Sequence, residues 1–358
     1  MDPDSVRQFE RSFSNYVGTK YAVAVSSGTS GLIAVMMALQ TNPGDNVVTT
    51  PLTFIATANS VLSAGDVPFF ADVSRETLCL NPGDAMKKMD SKTKGVIGVH
   101  LYGLPFDVEA FAEARRKRGI KVVEDAAQAL GASSRGRKVG SLGDAAVFSF
   151  YDTKHIKLGE GGIITTNDGE LAERCRMIRS HGQSRKYYHT MLGYNFRLPV
   201  SIAQRGLKQL SGIEREIGRR KRTAKVYAEE LRTFDGVSLQ HVDARVTHSY
   251  YMFPLLVEGV PPRKLDGLAQ RLSLQASCEI KRGYGLLLNQ QPFYRNINSL
   301  YWGAKLMQFP DYSNCRFPNA EHAVKHIIEL PTDGSVDEGK AEMIARSLVK
   351  EVRKLGTN

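Results

Sequence analysis

The chain has 358 residues, of which 42% are hydrophobic, 8% aromatic and 24% charged, an ordinary globular balance with room for one large or two moderate domains. No apolar run approaches a membrane span, and Met1-Asp2-Pro3-Asp4 lacks the basic and apolar regions of a secretory leader; Cys79, Cys175, Cys278 and Cys315 stand far apart without a C-x-x-C pattern, so neither a zinc site nor a disulfide framework is suggested and the cytoplasm is the expected compartment. The formal net charge of +11 suits nucleic acid, an acidic membrane surface or a small polyanionic substrate.

Along the chain, short runs of strand character fall at Ala22-Val25, Asn46-Thr50, Val67-Ala71, Val96-His100, Lys121-Glu124 and Ala145-Phe150. Several are apolar throughout, as strands buried on both faces are. Helical segments lie between them, at Thr29 to Gln40, Thr57 to Ala64, Asn81 to Met89 and Val108 to Lys117. This alternation predicts an α/β fold with right-handed crossovers and a mostly parallel sheet. The link from Phe150 to a further strand-like run, Ile163-Ile164-Thr165-Thr166, is too short for a helical crossover, which allows one antiparallel strand. A long amphipathic helix is predicted from Pro199 to Phe234. It carries the densest basic cluster, Arg219-Arg220-Lys221-Arg222, read chiefly as a solvated helix face. No aromatic interleaving or DNA-binding motif accompanies that cluster, so neither nucleic acid nor a membrane is an expected partner. Beyond it, Tyr250 to Val257 reads as a strand, and Pro262 to Leu272 and Val336 to Leu355 as helices. The expected organisation is a large α/β domain over residues 1–236 and a smaller α+β domain over 237–358.

Ligands of open α/β sheets bind beyond the carboxyl ends of the strands, so the residues following each strand carry the chemistry. Ser26-Ser27-Gly28-Thr29 opens a helix; it is either ordinary capping or a cup for a phosphate. Phe54, after the second strand, is either core or a surface on which a planar ring stacks. Asp125 ends a buried strand and needs a partner there: a lysine, an arginine, a helix cap or a protonated ring nitrogen. Gln128, three residues on, can then reach a ring hydroxyl. Ser149 lies five residues ahead of Lys154, which is followed by the turn Gly159-Glu160-Gly161-Gly162. A lysine so placed is either a solvated connection residue or the amine that forms a Schiff base with a carbonyl compound, pyridoxal 5'-phosphate (PLP) being the commonest.

Taken in order, these pieces resemble the DegT/StrS family of PLP-dependent sugar aminotransferases, of aspartate-aminotransferase-like fold type I. The resemblance runs from about Tyr16 to the C-terminus. It is carried by Ser26-Ser27-Gly28-Thr29, by Glu124-Asp125-Ala126-Ala127-Gln128-Ala129-Leu130-Gly131 and by Val139-Gly140-Ser141-Leu142-Gly143-Asp144. Phe148-Ser149-Phe150-x-x-x-Lys154, Gly159-Glu160-Gly161-Gly162 and Gly193-Tyr194-Asn195-Phe196-Arg197 complete it. It implies a mostly parallel seven-stranded sheet flanked by helices. Lys154 would carry PLP and shuttle a proton, Asp125 would pair the ring nitrogen, and Gln128 the ring hydroxyl. Phe54 would lie over the ring, and Gly28, Thr29 and Ser149 would bind the phosphate. Asn195 would reach the phosphate of a neighbouring subunit, making a homodimer with shared active sites. No metal is implied. The implied reaction moves an amino group, with glutamate as donor and 2-oxoglutarate as product, to a keto sugar linked to a nucleotide.

Two stretches depart from the family pattern. Members usually begin with a further stretch holding a Trp-x-Thr-Thr-Gly-like turn, whereas Met1-Asp2-Pro3-Asp4 stands close to the first helix, which bears on substrate closure. Many members read His-Tyr-Pro-x-Pro where this chain has Gly283-Tyr284-Gly285-Leu286-Leu287, ahead of Gln291-Pro292-Phe293-Tyr294, so an unusual sugar side is expected. Two other functions stay open. A sister branch of PLP- or PMP-dependent sugar dehydratases carries histidine at the lysine position, and His155 is adjacent; the three residues between Phe150 and Lys154 match the lysine branch. A non-catalytic regulatory protein can also retain such a fold.

Overall fold

A computed structural model describes residues 4–356; Met1-Asp2-Pro3 of the N-terminal reading lie outside them. Seven strands form the central sheet: β1 (Tyr21–Val25), β2 (Asn46–Thr49), β3 (Val67–Phe70), β4 (Thr93–Val99), β5 (Lys121–Asp125), β6 (Ala145–Ser149) and β7 (Gly162–Thr166). Their order across the sheet is β1-β7-β6-β5-β4-β2-β3. The pairs from β3 through β6 are parallel, while β7 runs antiparallel to both β6 and β1. The short link after Phe150 thus does what its length allows: it turns the chain back beside β6.

Alternate residues of each strand fill two cores. Val23, Val47, Ile97, Val123, Val147 and Ile164 pack under helices α2 (Gly28–Ala38) and α6 (Gly169–Arg179). Ala22, Val48, Val96, Val122, Ala146 and Ile163 face the other core, which also takes Phe9 and Phe13 of the N-terminal helix Asp4–Val17. Burial on both faces is why these strands read as unbroken apolar runs.

The predicted helix from Pro199 to Phe234 is two helices, Val200–Leu210 and Ile213–Leu231, broken at Ser211 and Gly212. Gly212 takes a non-helical conformation (φ −103°, ψ 5°) and starts the second helix. The basic cluster on that helix is not the solvated face its sequence suggests. Arg220 is fully buried: it pairs with Glu216 at 2.8 Å and donates to Tyr251 O at 3.0 Å and to Thr332 Oγ1 at 3.2 Å. Arg219 also pairs with Glu216, and Arg222 with Glu338. Much of this local positive charge joins the helix to the C-terminal part of the chain.

That smaller C-terminal α+β domain holds an antiparallel sheet ordered Val237–Leu239, Phe253–Val257, Ile327–Leu330. Helices Pro262–Ala276 and Glu338–Gly356 cover it. Its core includes Ala224, Tyr227 and Leu231, so the helix Ile213–Leu231 serves this domain as well. The strand foreseen from Tyr250 begins only at Phe253; Tyr250 stands at φ 51°, outside extended geometry.

Candidate active site

Register aligns the carboxyl ends of the strands. Val99 faces Asp125, Asp125 faces Val147, and Ser149 and Val25 both face Gly162. A cavity of about 520 Å3 opens at this edge. Gly28, Thr29, Phe54, Asp125, Gln128, Ser149 and Lys154, drawn from four separate stretches of sequence, all line it. Asn195 does not: it is exposed, paired with Ser180 in an isolated antiparallel bridge.

The first turn of α2 borders the cavity. Ser27 caps it, its hydroxyl accepting from Ser30 N at 3.0 Å while the Ser30 hydroxyl accepts from Ser27 N at 2.9 Å. The capped turn brings backbone N–H groups and a positive dipole end to the cavity edge. Close approach to β6 demands glycine here, because a Cβ on Gly28 would lie 2.9 Å from Ser149 Cβ. The helix start and the Ser149 hydroxyl are thereby held together.

Asp125 is buried at the end of β5. Thr57 Oγ1 donates to its Oδ2 at 2.7 Å and Ala127 N to its Oδ1 at 3.2 Å; Thr53 and Thr57 share a hydroxyl contact at 3.1 Å. Burial raises its affinity for a proton, while the Thr57 and Ala127 hydrogen bonds and the nearby Lys154 and His100 side chains oppose that. Among the described residues, no lysine or arginine forms an ion pair with this carboxylate.

Gln128 is fixed at both ends of its amide. Tyr102 N donates to Oε1 at 2.7 Å, and Nε2 donates to Tyr284 Oη at 3.0 Å. Tyr102 is a buried tyrosine at φ 61°, a left-handed conformation that costs a residue with a side chain and is held by its surroundings. Phe54 is 61% exposed at the cavity, so it is not the core residue that its sequence favoured.

Lys154 is half-buried, with Nζ 4.4 Å from the centroid of the Tyr251 ring. The adjacent His155 is absent from the cavity wall; it is buried and contacts Ser249 O through Nε2 at 3.2 Å. Burial pushes its proton affinity well down. The lysine, not the histidine, thus shares the cavity with Asp125.

A model of the DegT/DnrJ/EryC1/StrS aminotransferase family matches residues 2–349. The chain belongs to this family. It is similar to GDP-perosamine synthase of Escherichia coli O157:H7, 35% identical over 317 residues that cover 86% of this chain and 86% of that protein. It is also similar to a pleiotropic regulatory protein of Geobacillus stearothermophilus, 34% identical over 354 residues, 98% of this chain and 90% of the other. Among solved structures, S. venezuelae DesV in complex with a ketimine intermediate aligns with a TM-score of 0.88 at 29% identity, covering 98% of this chain and 90% of its own. The fold is accordingly that of the PLP-dependent aminotransferases of fold type I.

The residues present fit PLP on their own chemistry. A buried carboxylate without an ion-pair partner suits a protonated ring nitrogen, and a lysine suits an aldehyde. A capped helix start with a serine hydroxyl suits a phosphate, and an exposed aromatic suits a flat ring. The wall residues Tyr102, Tyr251, Lys281 and Glu329 escaped the sequence reading, as did Thr57, which holds Asp125 from behind the wall. Glu329 had a signal, a charge inside the apolar run Ile327-Ile328-Glu329-Leu330. Thr57 had none, since it reads only as the start of a helix. Tyr284 lies in the departing stretch, and its hydroxyl meets Gln128 all the same.

Proposed function

We propose that this protein is a PLP-dependent sugar aminotransferase that moves an amino group from glutamate to a keto sugar, most simply a nucleotide-linked one, in amino-sugar biosynthesis. The observation that carries the reading is the meeting of Lys154 and Asp125 on one cavity wall together with Gln128, Ser149 and the start of α2.

When bound, PLP supplies an electron sink and a temporary carrier for the amino group. Lys154 is the residue that would hold it, and its amine is the group that takes and returns the proton of the reacting carbon. Asp125, kept dry and oriented by Thr57, holds a proton on the ring nitrogen. Gln128 is already clamped by Tyr102 and Tyr284, and its amide offers a remaining N–H to the ring oxygen. Gly28, Thr29 and Ser149 would bind the phosphate, and Phe54 would cover the ring against water. In this reading residues 1–236 hold the cofactor and residues 237–358 supply the wall with Lys281, Tyr284 and Glu329. Asn195, exposed and off the cavity of its own chain, would serve the site of a second copy in a homodimer. The free cysteines Cys79, Cys175, Cys278 and Cys315 suit a reducing compartment such as the cytoplasm. None of the described helices is long and apolar enough to cross a membrane.

The dehydratase reading needs histidine where the lysine stands, and His155 is turned to Ser249 instead. The regulatory reading gives no reason for a lysine and a buried carboxylate to converge on one cavity. The test is a panel of keto nucleotide sugars offered with glutamate, followed by release of 2-oxoglutarate. Turnover with at least one sugar and double-displacement kinetics are expected; glutamate deamination that no keto sugar completes would refute the sugar assignment.

A further inference from the structure

One part of the cavity wall has no side chain assigned to contact PLP: Lys281, Gly283, Glu329 and Tyr102, the last clamping Gln128 through its backbone alone. Glu329 lies on the strand Ile327–Leu330 and is 8% exposed, yet it lines the cavity. Its backbone is locked to Lys281, with Lys281 N donating to Glu329 O at 3.2 Å and Glu329 N donating to Lys281 O at 2.8 Å. Lys281 Nζ forms its ion pair with Glu279 at 2.9 Å and acts on Glu329 only at a distance. Glu279 stands off the cavity wall, so the Lys281 charge is drawn away from the Glu329 carboxylate toward solvent.

Gly283 explains why the carboxylate fits. A Cβ there would lie 2.9 Å from Glu329 Oε1 and 3.3 Å from Tyr102 Oη. The missing side chain at 283, where the family pattern often has histidine, is space that the Glu329 carboxylate borders. The Tyr102 hydroxyl stands beside it, short of a well-formed hydrogen bond yet near enough to ease the burial of the carboxylate. Burial raises the proton affinity of Glu329, and the Tyr102 hydroxyl with the more distant Lys281 and Lys154 offsets that only in part.

A carboxylate buried at a substrate cavity requires a hydrogen-bond donor once the substrate has displaced water. A second carboxylate brought beside it is penalised by like charge and by desolvation together. Hydroxyl and amide N–H groups of a sugar meet the first requirement and avoid the second. We propose that Glu329 determines acceptor specificity, accepting a hydrogen bond from a hydroxyl or amide N–H of a neutral keto sugar and rejecting a keto sugar that carries a carboxylate on the side facing it. This rests on the sugar aminotransferase reading above and names the substrate class within it.

The experiment uses the PLP-loaded protein and a matched pair of nucleotide-linked keto sugars that differ only in carrying a neutral carbon or a carboxylate at C6. Wild type is expected to favour the neutral sugar in kcat/KM by about 100-fold, and Glu329→Gln, which removes the charge and keeps the shape, to narrow that ratio by about 10-fold or more. Damage to the fold alone would slow both sugars and leave the ratio where it was. Equal use of the two sugars by wild type, preference for the acidic one, or an unchanged ratio in Glu329→Gln overturns the proposal while leaving the aminotransferase reading standing. If neither sugar is aminated while glutamate is still deaminated, the panel of other keto sugars decides. A neutral acceptor found there replaces the pair's neutral member and the ratio is measured against its own carboxylate analogue, whereas failure of every sugar removes both readings.

Discussion

Asp125 shows how one residue serves two demands that pull against each other. Its carboxylate is buried and hydrogen-bonded to a threonine and a backbone amide, which holds its position without neutralising its charge. Replacing it by asparagine keeps the shape and loses the anion. Asp125→Asn is therefore expected to lower kcat by about 100- to 1,000-fold, while the melting temperature of the cofactor-free protein stays level or rises. Steady-state kinetics and thermal melts of one preparation check both halves. Asp66 is a carboxylate whose burial has a consequence for stability alone. It is fully buried ahead of β3, Thr41 Oγ1 donates to Oδ2 at 2.8 Å, and Oδ1 has no partner. Burial pushes its pKa up from 3.8 to about 7. The folded state therefore binds a proton that the unfolded state releases, and the stability this confers is present below the unfolded pKa and is lost as pH rises through the folded one. Asp66→Asn is expected to stabilise the protein at pH 8 by roughly 2 kcal/mol and to have far less effect near pH 4, as urea melts at the two pH values would show.

At the scale of elements, the site depends on how closely α2 seats against β6. Gly28 meets Ser149, and a Cβ on Gly31 would lie 2.7 Å from Val147 Cγ1, so two glycines one turn apart let the helix start sit low on the sheet. Gly28→Ala is expected to keep the overall fold by circular dichroism and to weaken PLP binding by about 10-fold or more, since it pushes the phosphate-binding turn away from the serine hydroxyl; unchanged affinity in a cofactor titration would disprove that seating. The same elements show what could be read from sequence. The parallel strands announced themselves because burial on both faces leaves no alternation, and the antiparallel β7 because a loop's length limits where its ends can go. The break at Ser211-Gly212 was hidden, since the apolar stripe continues across it and a single glycine is weak evidence against a helix. Arg220 was misleading for a related reason: its partners Tyr251 and Thr332 lie far along the chain, and no local pattern reports such a match. Of the cavity residues, those on strand ends were legible by position. Tyr102, Tyr251 and Glu329 arrive through tertiary packing, and only the last left a mark in its own segment.

For the whole molecule, Asn195 poses the question of assembly. Close to it in sequence, large apolar side chains are left in the open, with Tyr187 80% and Leu192 66% exposed; Trp302 and Leu306, further along the chain, are 70% and 76% exposed. Side chains of this kind are where a second copy would dock if the protein is a dimer. If two copies share their sites, mixing Lys154→Ala with Asn195→Ala protein is expected to restore activity, because a hybrid dimer holds one site with both native residues. Activity no greater than the sum of the separate variants would contradict a shared site. The proposal beneath all of this is that the amine of Lys154 and the carboxylate of Asp125 enclose one PLP molecule. The most direct measurement is borohydride reduction of the PLP-loaded protein followed by peptide mass mapping. The account predicts a pyridoxyl group on the peptide containing Lys154, absent from Lys154→Ala protein and bound less readily by Asp125→Asn. A label on any other lysine, or a protein that takes up no PLP, would contradict it.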